Sequence, residues 1–389
     1  MEMASGNWKI VMNAQNENRL RRLEELGQSL WLDYIERALL TEGEMERLVR
    51  EDGISGVTSN PSIFEKAIAQ HKEYDEAIEK LVRQNPDAQK IYEELAVDDV
   101  RRVADLLHGV YETSGMRDGY VSMEVSPHLA YDTDATIAEA KRLWGCIDRP
   151  NLMIKVPATV AGLPAIRQLI ASGINVNATL LFGVARYMEV SENYISGLED
   201  RLANGGKIDH VASVASFFLS RIDTLVDHIL DQNNQPQALE MRGQTAIACA
   251  RLAYQEYKKM VASARWQTLE AQGAHTQRLL WASTSTKNPA YDDVMYVEAL
   301  IGPDTINTLP LETLSAYREH GDPQLRLAEN LDVTYALPKR LAALGLNLYA
   351  VSDELENQGV QKFIESYERL LDTLSRRATE LIIQEKHHA

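Results

Sequence analysis

Eight short apolar runs punctuate the chain: Ser29 to Ile35, Ile54 to Ser59, Tyr120 to Val125, Leu152 to Val156, Ile174 to Leu181, Val211 to Phe218, Leu279 to Ala282 and Thr305 to Leu309. Helical periodicity fills the gaps, over Thr41 to Arg50, Pro86 to Thr113, Thr133 to Trp144, Gly162 to Ala171, Val184 to Leu202 and Leu219 to Leu230. A strand, a helix and another strand in succession make a parallel pair, because the crossover needs a dozen or more residues. Eight such units in roughly 300 residues predict a closed (β/α)8 barrel. The competing architecture, an open doubly wound sheet, is disfavoured because the first βα turn has no glycine-rich dinucleotide fingerprint.

Two stretches exceed a plain barrel. Asp231 to Gln277 is a polar connection with a helical pattern over Ala246 to Val261, and Glu312 to Ala389 follows the eighth run with helix-like sequence. Within the second, Leu341 to Leu348 is apolar enough to pack across the barrel, and Val360 to Ile383 reads as an amphipathic helix. Both are expected to be decorations of one domain spanning residues 1–389.

Composition narrows the function classes. Two cysteines, Cys146 and Cys249, make no disulfide framework, which fits a reducing cytoplasm. Met1 to Ile10 lacks the basic segment and apolar run of a leader, and no stretch approaches the ~20 apolar residues of a membrane span, so a soluble cytoplasmic protein is expected. A formal charge of −17 repels nucleic acid and acidic membranes. It repels phosphorylated metabolites too, so a phosphate site needs a local cluster of cations. The histidines are scattered and no His-x-x-x-His or Cys-x-x-Cys spacing suggests a metal. Asp98 and Asp99 with Arg101 and Arg102 read as a solvated helix face. A monomer and a homodimer are both compatible with the sequence.

Chemistry in a barrel collects where strands end, because side chains from several strands converge there. Five consecutive runs carry a polar residue near that place: Asp33 in the first, Asn60 after the second, Glu124 in the third, Lys155 in the fourth, and Asn177 with Thr179 in the fifth. Lys155 is the only charged residue in Leu152 to Thr159. An amine in apolar surroundings is favoured in its neutral, nucleophilic form, which attacks carbonyls to give a Schiff base. The bland alternative, a lysine stem crossing an apolar surface to reach water, explains one such residue. Two carboxylates and an amine together are harder to explain as packing, because each buried ion costs several kcal/mol unless paired.

Gly56 to Ser62, the Ile154-Lys155 strand, Ile174 to Leu181 and Ser213 to Asp223 resemble the signature blocks of the transaldolases, in the family's order and spacing, and the resemblance extends from about Gln28 to Leu314. It implies a metal-free, cofactor-free Schiff-base enzyme of the pentose phosphate pathway. Such an enzyme moves a dihydroxyacetone unit from sedoheptulose 7-phosphate to glyceraldehyde 3-phosphate, giving erythrose 4-phosphate and fructose 6-phosphate. Carried over by position, the resemblance makes Lys155 the nucleophile and Asp33 the base for the C4 hydroxyl. Glu124 becomes the proton shuttle, through a water held by Thr179. Thr58, Asn60, Asn177, Ser216 and Phe218 would surround the three-carbon fragment.

The phosphate end has its own signal. The helix after the sixth run begins near Ser220, which places Arg221 in its first turn, where an anion is welcome and a cation is not. Ser285 and Lys287 lie in a hydroxyl-rich turn after the seventh run, near the usual phosphate site of a barrel. Many transaldolases carry arginine where this chain has Lys287, a point charge in place of a bidentate fork. Two alternatives remain on the sequence alone. A fructose 6-phosphate aldolase would share the lysine chemistry, but Glu124 and the chain length favour the transferase. A silent sugar-phosphate sensor on the same fold would be expected to lose Lys155 or Asp33, and both are present.

Overall fold

The computed structural model describes residues 18–233 and 235–388, so Met1 to Ile10, read above as lacking the features of a leader, lies outside the described residues. Eight parallel strands close into a barrel in chain order: β1 (Gln28–Leu32), β2 (Ile54–Val57), β3 (Tyr120–Glu124), β4 (Leu152–Pro157), β5 (Val176–Leu181), β6 (Ser213–Phe218), β7 (Arg278–Ala282) and β8 (Thr305–Leu309), with β8 pairing back onto β1. Seven of the strands are buried at every residue, as expected where a parallel sheet is covered by side chains inside and helices outside.

All eight expected runs are strands, though several are shorter at an end. β5 starts at Val176 rather than Ile174, and at Asn175 side-chain bonds supplement the backbone: its Nδ2 donates to the carbonyls of Pro150 and Leu152, each at 2.9 Å, its Oδ1 accepts from the amide of Ala212 at 2.9 Å, and its carbonyl accepts from the amide of Ile154 at 2.9 Å. The helix expected over 41–50 is split by a turn into Arg37–Thr41 and Glu44–Arg47, with a π turn over Leu48–Asp52. Inside the barrel Trp31 lies against β2, where Gly56 makes room: a Cβ at that position would fall 2.4 Å from the indole.

Register aligns the polar residues. Along the sheet Glu124 pairs with Lys155 and Lys155 with Asn177, so three adjacent strands present an acid, an amine and an amide in one row. The β5–β6 ladder shifts between Ala178 and Leu181, and Leu180 takes φ 61°, a left-handed conformation that costs about 1–3 kcal/mol in a non-glycine residue. This irregularity falls immediately beside Thr179.

The expectation that Asp98 and Asp99 share a solvated face holds for Asp98 only. Asp99 is wholly buried, accepting from Arg37 Nη2 at 2.8 Å and Tyr74 hydroxyl at 2.8 Å. Both residues sit on the helix Ala88–Thr113, and the helix Arg37–Thr41 packs over one flank, which the helical period alone does not reveal.

The segment around 231–277 forms the helices Pro236–Leu239, Thr245–Val261 and Ala264–Glu270. Leu341 to Leu348 does not cross the barrel. The helix Leu331–Ala343 packs on the helix Thr245–Val261, and Leu344 to Asn347 turns the chain into the next helix. That next helix, Leu348–His388, lies over the C-terminal rim instead, touching β5 and the helices Ser220–Asp231, Pro61–Gln70 and Ala88–Thr113. Its apolar stripe of Val351, Leu355, Val360, Phe363, Tyr367, Leu370 and Leu374 is buried, and Gly359 lets it approach β5, with a Cβ there only 3.1 Å from the Leu180 side chain. Arg369 and Arg377 pin it to Glu65 at 2.8 Å and Asp75 at 2.6 Å.

Candidate active site

A cavity of about 290 Å³ opens at the C-terminal ends of the strands, as barrel geometry dictates. Of the residues expected from sequence, Asp33, Thr58, Asn60, Lys155, Thr179, Ser216, Phe218, Arg221, Ser285 and Lys287 line it. Lys155 is 4% exposed, and its Nζ donates to the carbonyl of Ser59 at 2.9 Å. Its surroundings are not the apolar ones expected from the strand alone, since Asp33 and Glu124 both lie within electrostatic reach of it.

Asp33 follows β1 directly and keeps partial contact with the cavity. Its Oδ1 accepts from Thr58 Oγ1 at 2.6 Å, and Thr58 Oγ1 is itself 2.8 Å from Thr308 Oγ1. Burial raises the pKa of Asp33, the Lys155 charge and the Thr58 hydrogen bond oppose that rise, and Glu312 adds to it. Glu124, the last residue of β3, is pushed up to about 7 by burial, with the Asp33 charge adding and Lys155 opposing. Both its carboxylate oxygens are buried without a hydrogen-bond partner, and so is Thr179 Oγ1. These two groups flank Lys155 from either side, on β3 and β5. Unsatisfied buried polar atoms are rare in folded proteins, and a pair of them around an amine marks a place built for a ligand or a water.

Two expected residues have their hydrogen bonds committed within the protein. Asn177 is wholly buried, donating from Nδ2 to Ser122 Oγ at 3.1 Å and accepting from Ser216 Oγ at 2.6 Å. It therefore orients Ser216 from behind the cavity wall. Asn60 caps the helix Pro61–Gln70, its Oδ1 accepting from the amide of Ile63 at 3.1 Å and Ser62 Oγ at 2.6 Å, so a ligand would meet its Nδ2.

The family model for transaldolase/fructose-6-phosphate aldolase matches residues 30–374. Among curated proteins, the chain is similar to Transaldolase 2 of Nostoc sp., 48% identical over 92% of this chain and 97% of that protein. It is also similar to the transaldolase of Trichodesmium erythraeum, 46% identical over 94% and 98% of the two chains, and to that of Thiobacillus denitrificans, 47% identical over 91% and 99%. The chain belongs to the transaldolase/fructose-6-phosphate aldolase family.

In this family member Arg221 is held by aromatic rings. It sits at the start of the helix Ser220–Asp231 as expected, with its Cζ 5.6 Å from the centroid of Phe218 and 6.0 Å from that of Phe363. Burial lowers its pKa, and its Nη1 is buried without a partner. An arginine that forms no carboxylate pair among the described residues and lies between two rings keeps its fork of N–H groups available to an anion. Ser283 takes φ 55° and its Oγ lies 2.8 Å from Ser220 Oγ, tying the loop after β7 to the start of that helix. On the same loop Lys287 Nζ donates to Ser285 Oγ at 2.5 Å. Desolvation lowers the Lys287 pKa, Glu312 opposes this, and Arg221 and Lys66 add to it.

Sequence reasoning did not find Tyr34, Lys66, Ser283, Thr308, Glu312 or Phe363, all of which line the cavity. Tyr34 and Thr308 adjoin the ends of strands and could have been found by extending the strand-end rule to β8 and to the residue after Asp33. Lys66 and Phe363 sit in the middle of amphipathic helices, where no local pattern separates a residue facing the cavity from one facing solvent or core. No helix among the described residues is long and apolar enough to cross a membrane.

Proposed function

We propose that the chain is a transaldolase working through a Schiff base on Lys155, with phosphorylated sugars as its substrates in the cytoplasm. The observation that carries this reading is the row of Glu124, Lys155 and Asn177 facing Asp33, with the Glu124 carboxylate and the Thr179 hydroxyl left unpartnered beside the amine. The Lys155 amine attacks the ketose C2 carbonyl. Glu124, relaying through a water held by Thr179, accepts a proton from the attacking amine and returns one to the carbinolamine oxygen, which leaves as water. A carboxyl poised at about 7 suits both directions of transfer at neutral pH. Asp33 then removes the C4 hydroxyl proton. The C3–C4 bond breaks, its electron pair passes to C3 and the iminium becomes an enamine, while the aldose phosphate departs.

The enamine is held by Ser216, oriented by Asn177, and by Asn60, Thr58 and Phe218, until its C3 attacks the aldehyde carbon of the acceptor and hydrolysis frees the new ketose. Arg221, Ser285 and Lys287 bind the phosphate. Phe363 lines the same cavity, which supports reading the C-terminal extension as part of one catalytic unit with the barrel. The test is intact mass after borohydride reduction with fructose 6-phosphate. An adduct on Lys155 of dihydroxyacetone size, absent together with turnover in Lys155→Met, is the expected result. Appreciable turnover in that variant would rule the mechanism out. Steady release of free dihydroxyacetone, at the rate of donor consumption with acceptor present, would instead point to the aldolase.

A further inference from the structure

We propose that Lys66 and Glu312 set the net charge at the phosphate end of the cavity and thereby its selectivity for a dianionic phosphate monoester; this rests on the sugar-phosphate reading above. Besides Asp33 and Lys155, whose opposite charges offset each other, four charged groups from four elements line the cavity: Lys66 from the helix Pro61–Gln70, Arg221 from the helix Ser220–Asp231, Lys287 from the loop after β7, and Glu312 from the helix Leu311–His320. They share one field, because Lys287 responds to Glu312, Arg221 and Lys66 alike. None of the four forms an ion pair among the described residues, so their charges are not cancelled locally.

Three cations and one carboxylate leave a net charge of +2, which matches the −1.5 to −2 of a phosphate monoester near pH 7. Arg221 and Lys287 alone would be reduced to +1 by Glu312, and Lys66 restores the balance. The carboxylate has a use of its own. Binding that is equally strong in ground and transition states lowers KM without raising kcat, so an anion among the cations limits retention of the phosphate and eases product release. In a chain of charge −17 the local excess of cations is what admits the substrate at all.

The two residues therefore have opposite signs of effect. Lys66→Gln should raise the KM for fructose 6-phosphate and the inhibition constant of inorganic phosphate about two- to fivefold, the range of one exposed charge interaction, with kcat changing less. Glu312→Gln should lower both constants by a similar factor, the double variant should return close to the parent, and Lys66→Arg, which keeps the charge, should match the parent. Added salt should shrink every difference. If both single variants shift the constants in the same direction, or neither shifts them while the parent enzyme transfers from fructose 6-phosphate to erythrose 4-phosphate, the proposal is wrong. If the parent shows no such transfer, the failure lies with the functional reading instead.

Discussion

At the floor of the barrel Arg278 and Asp118 are almost fully enclosed, and both carboxylate oxygens and both terminal guanidinium nitrogens are met. Arg278 Nη2 lies 2.9 Å from Asp118 Oδ1, Ser29 Oγ donates to Asp118 Oδ2 at 2.7 Å, Trp31 Nε1 donates to Asp118 Oδ1 at 3.0 Å, and Arg278 Nη1 donates to Ser29 Oγ at 2.7 Å. At the mouth, Glu124 at the end of β3, Thr179 on β5 and Arg221 at the start of the helix Ser220–Asp231 each carry a buried polar atom with no partner. A buried charge that is paired on all sides ties strands together and has nothing left to offer a ligand. One left short of partners costs stability, and that cost is compensated when a substrate or water completes it. The contrast separates structural from chemical use of the same residue types, and it can be broken at either end.

The largest effect is expected at the floor. Asp118→Asn leaves Arg278 without its counter-charge and should lower the unfolding free energy by about 3–5 kcal/mol, while turnover per folded molecule stays near that of the parent. Chemical denaturation alongside active-site titration would show it. A variant of unchanged stability would mean that water replaces the carboxylate easily, and the floor would then be no better paired than the mouth.

Next comes Glu124, whose effect depends on pH. Its folded-state pKa lies above its unfolded value, so the folded protein holds this proton more tightly, and the associated stability is present below the ordinary carboxylate range and lost as pH rises through about 7. The loss is on the order of 3 kcal/mol. Glu124→Gln should remove that pH-dependent component, so the variant gains on the parent as pH climbs from about 5 to about 8.5. The same variant should slow formation of the borohydride-trappable adduct, whereas Asp33→Asn should form an adduct of the whole six-carbon ketose and stall at cleavage. Equal slopes of stability against pH in parent and variant would show that Glu124 is solvated after all.

The smallest effects concern anion recognition. Arg221→Ala removes a charge-assisted contact and should cut kcat/KM for fructose 6-phosphate by about 10- to 150-fold, mostly through KM, with the unphosphorylated acceptor glyceraldehyde less affected when donor is saturating. Phe363→Leu removes one of the two rings on the guanidinium and should cost about two- to fivefold in the same direction. A Phe363→Leu defect confined to kcat would mean that the ring shields the chemistry rather than holding Arg221.

Much of the site was legible because a strand end is a local property. Asp33, Glu124, Lys155 and Thr179 each interrupt or end an apolar run, and a parallel barrel must bring such positions to one rim. Asn177 was legible as a site residue but not in its task, because its two hydrogen bonds go to side chains on β3 and β6. Asp99 was misread for a related reason. Its helix is amphipathic on average, and only the neighbouring helix with Arg37 decides that this acid is covered.

From the sequence alone came the eight strands, their parallel order and the polar residues at the strand ends, since apolar periodicity and the residues that break it act over a few positions. Tertiary structure decided which decoration crosses the mouth, that Phe363 reaches Arg221, and that Lys66 and Glu312 share a field with Lys287. Those relations join residues up to hundreds of positions apart. They depend on how whole helices pack and how charges add across a cavity, and neither leaves a trace in any local pattern.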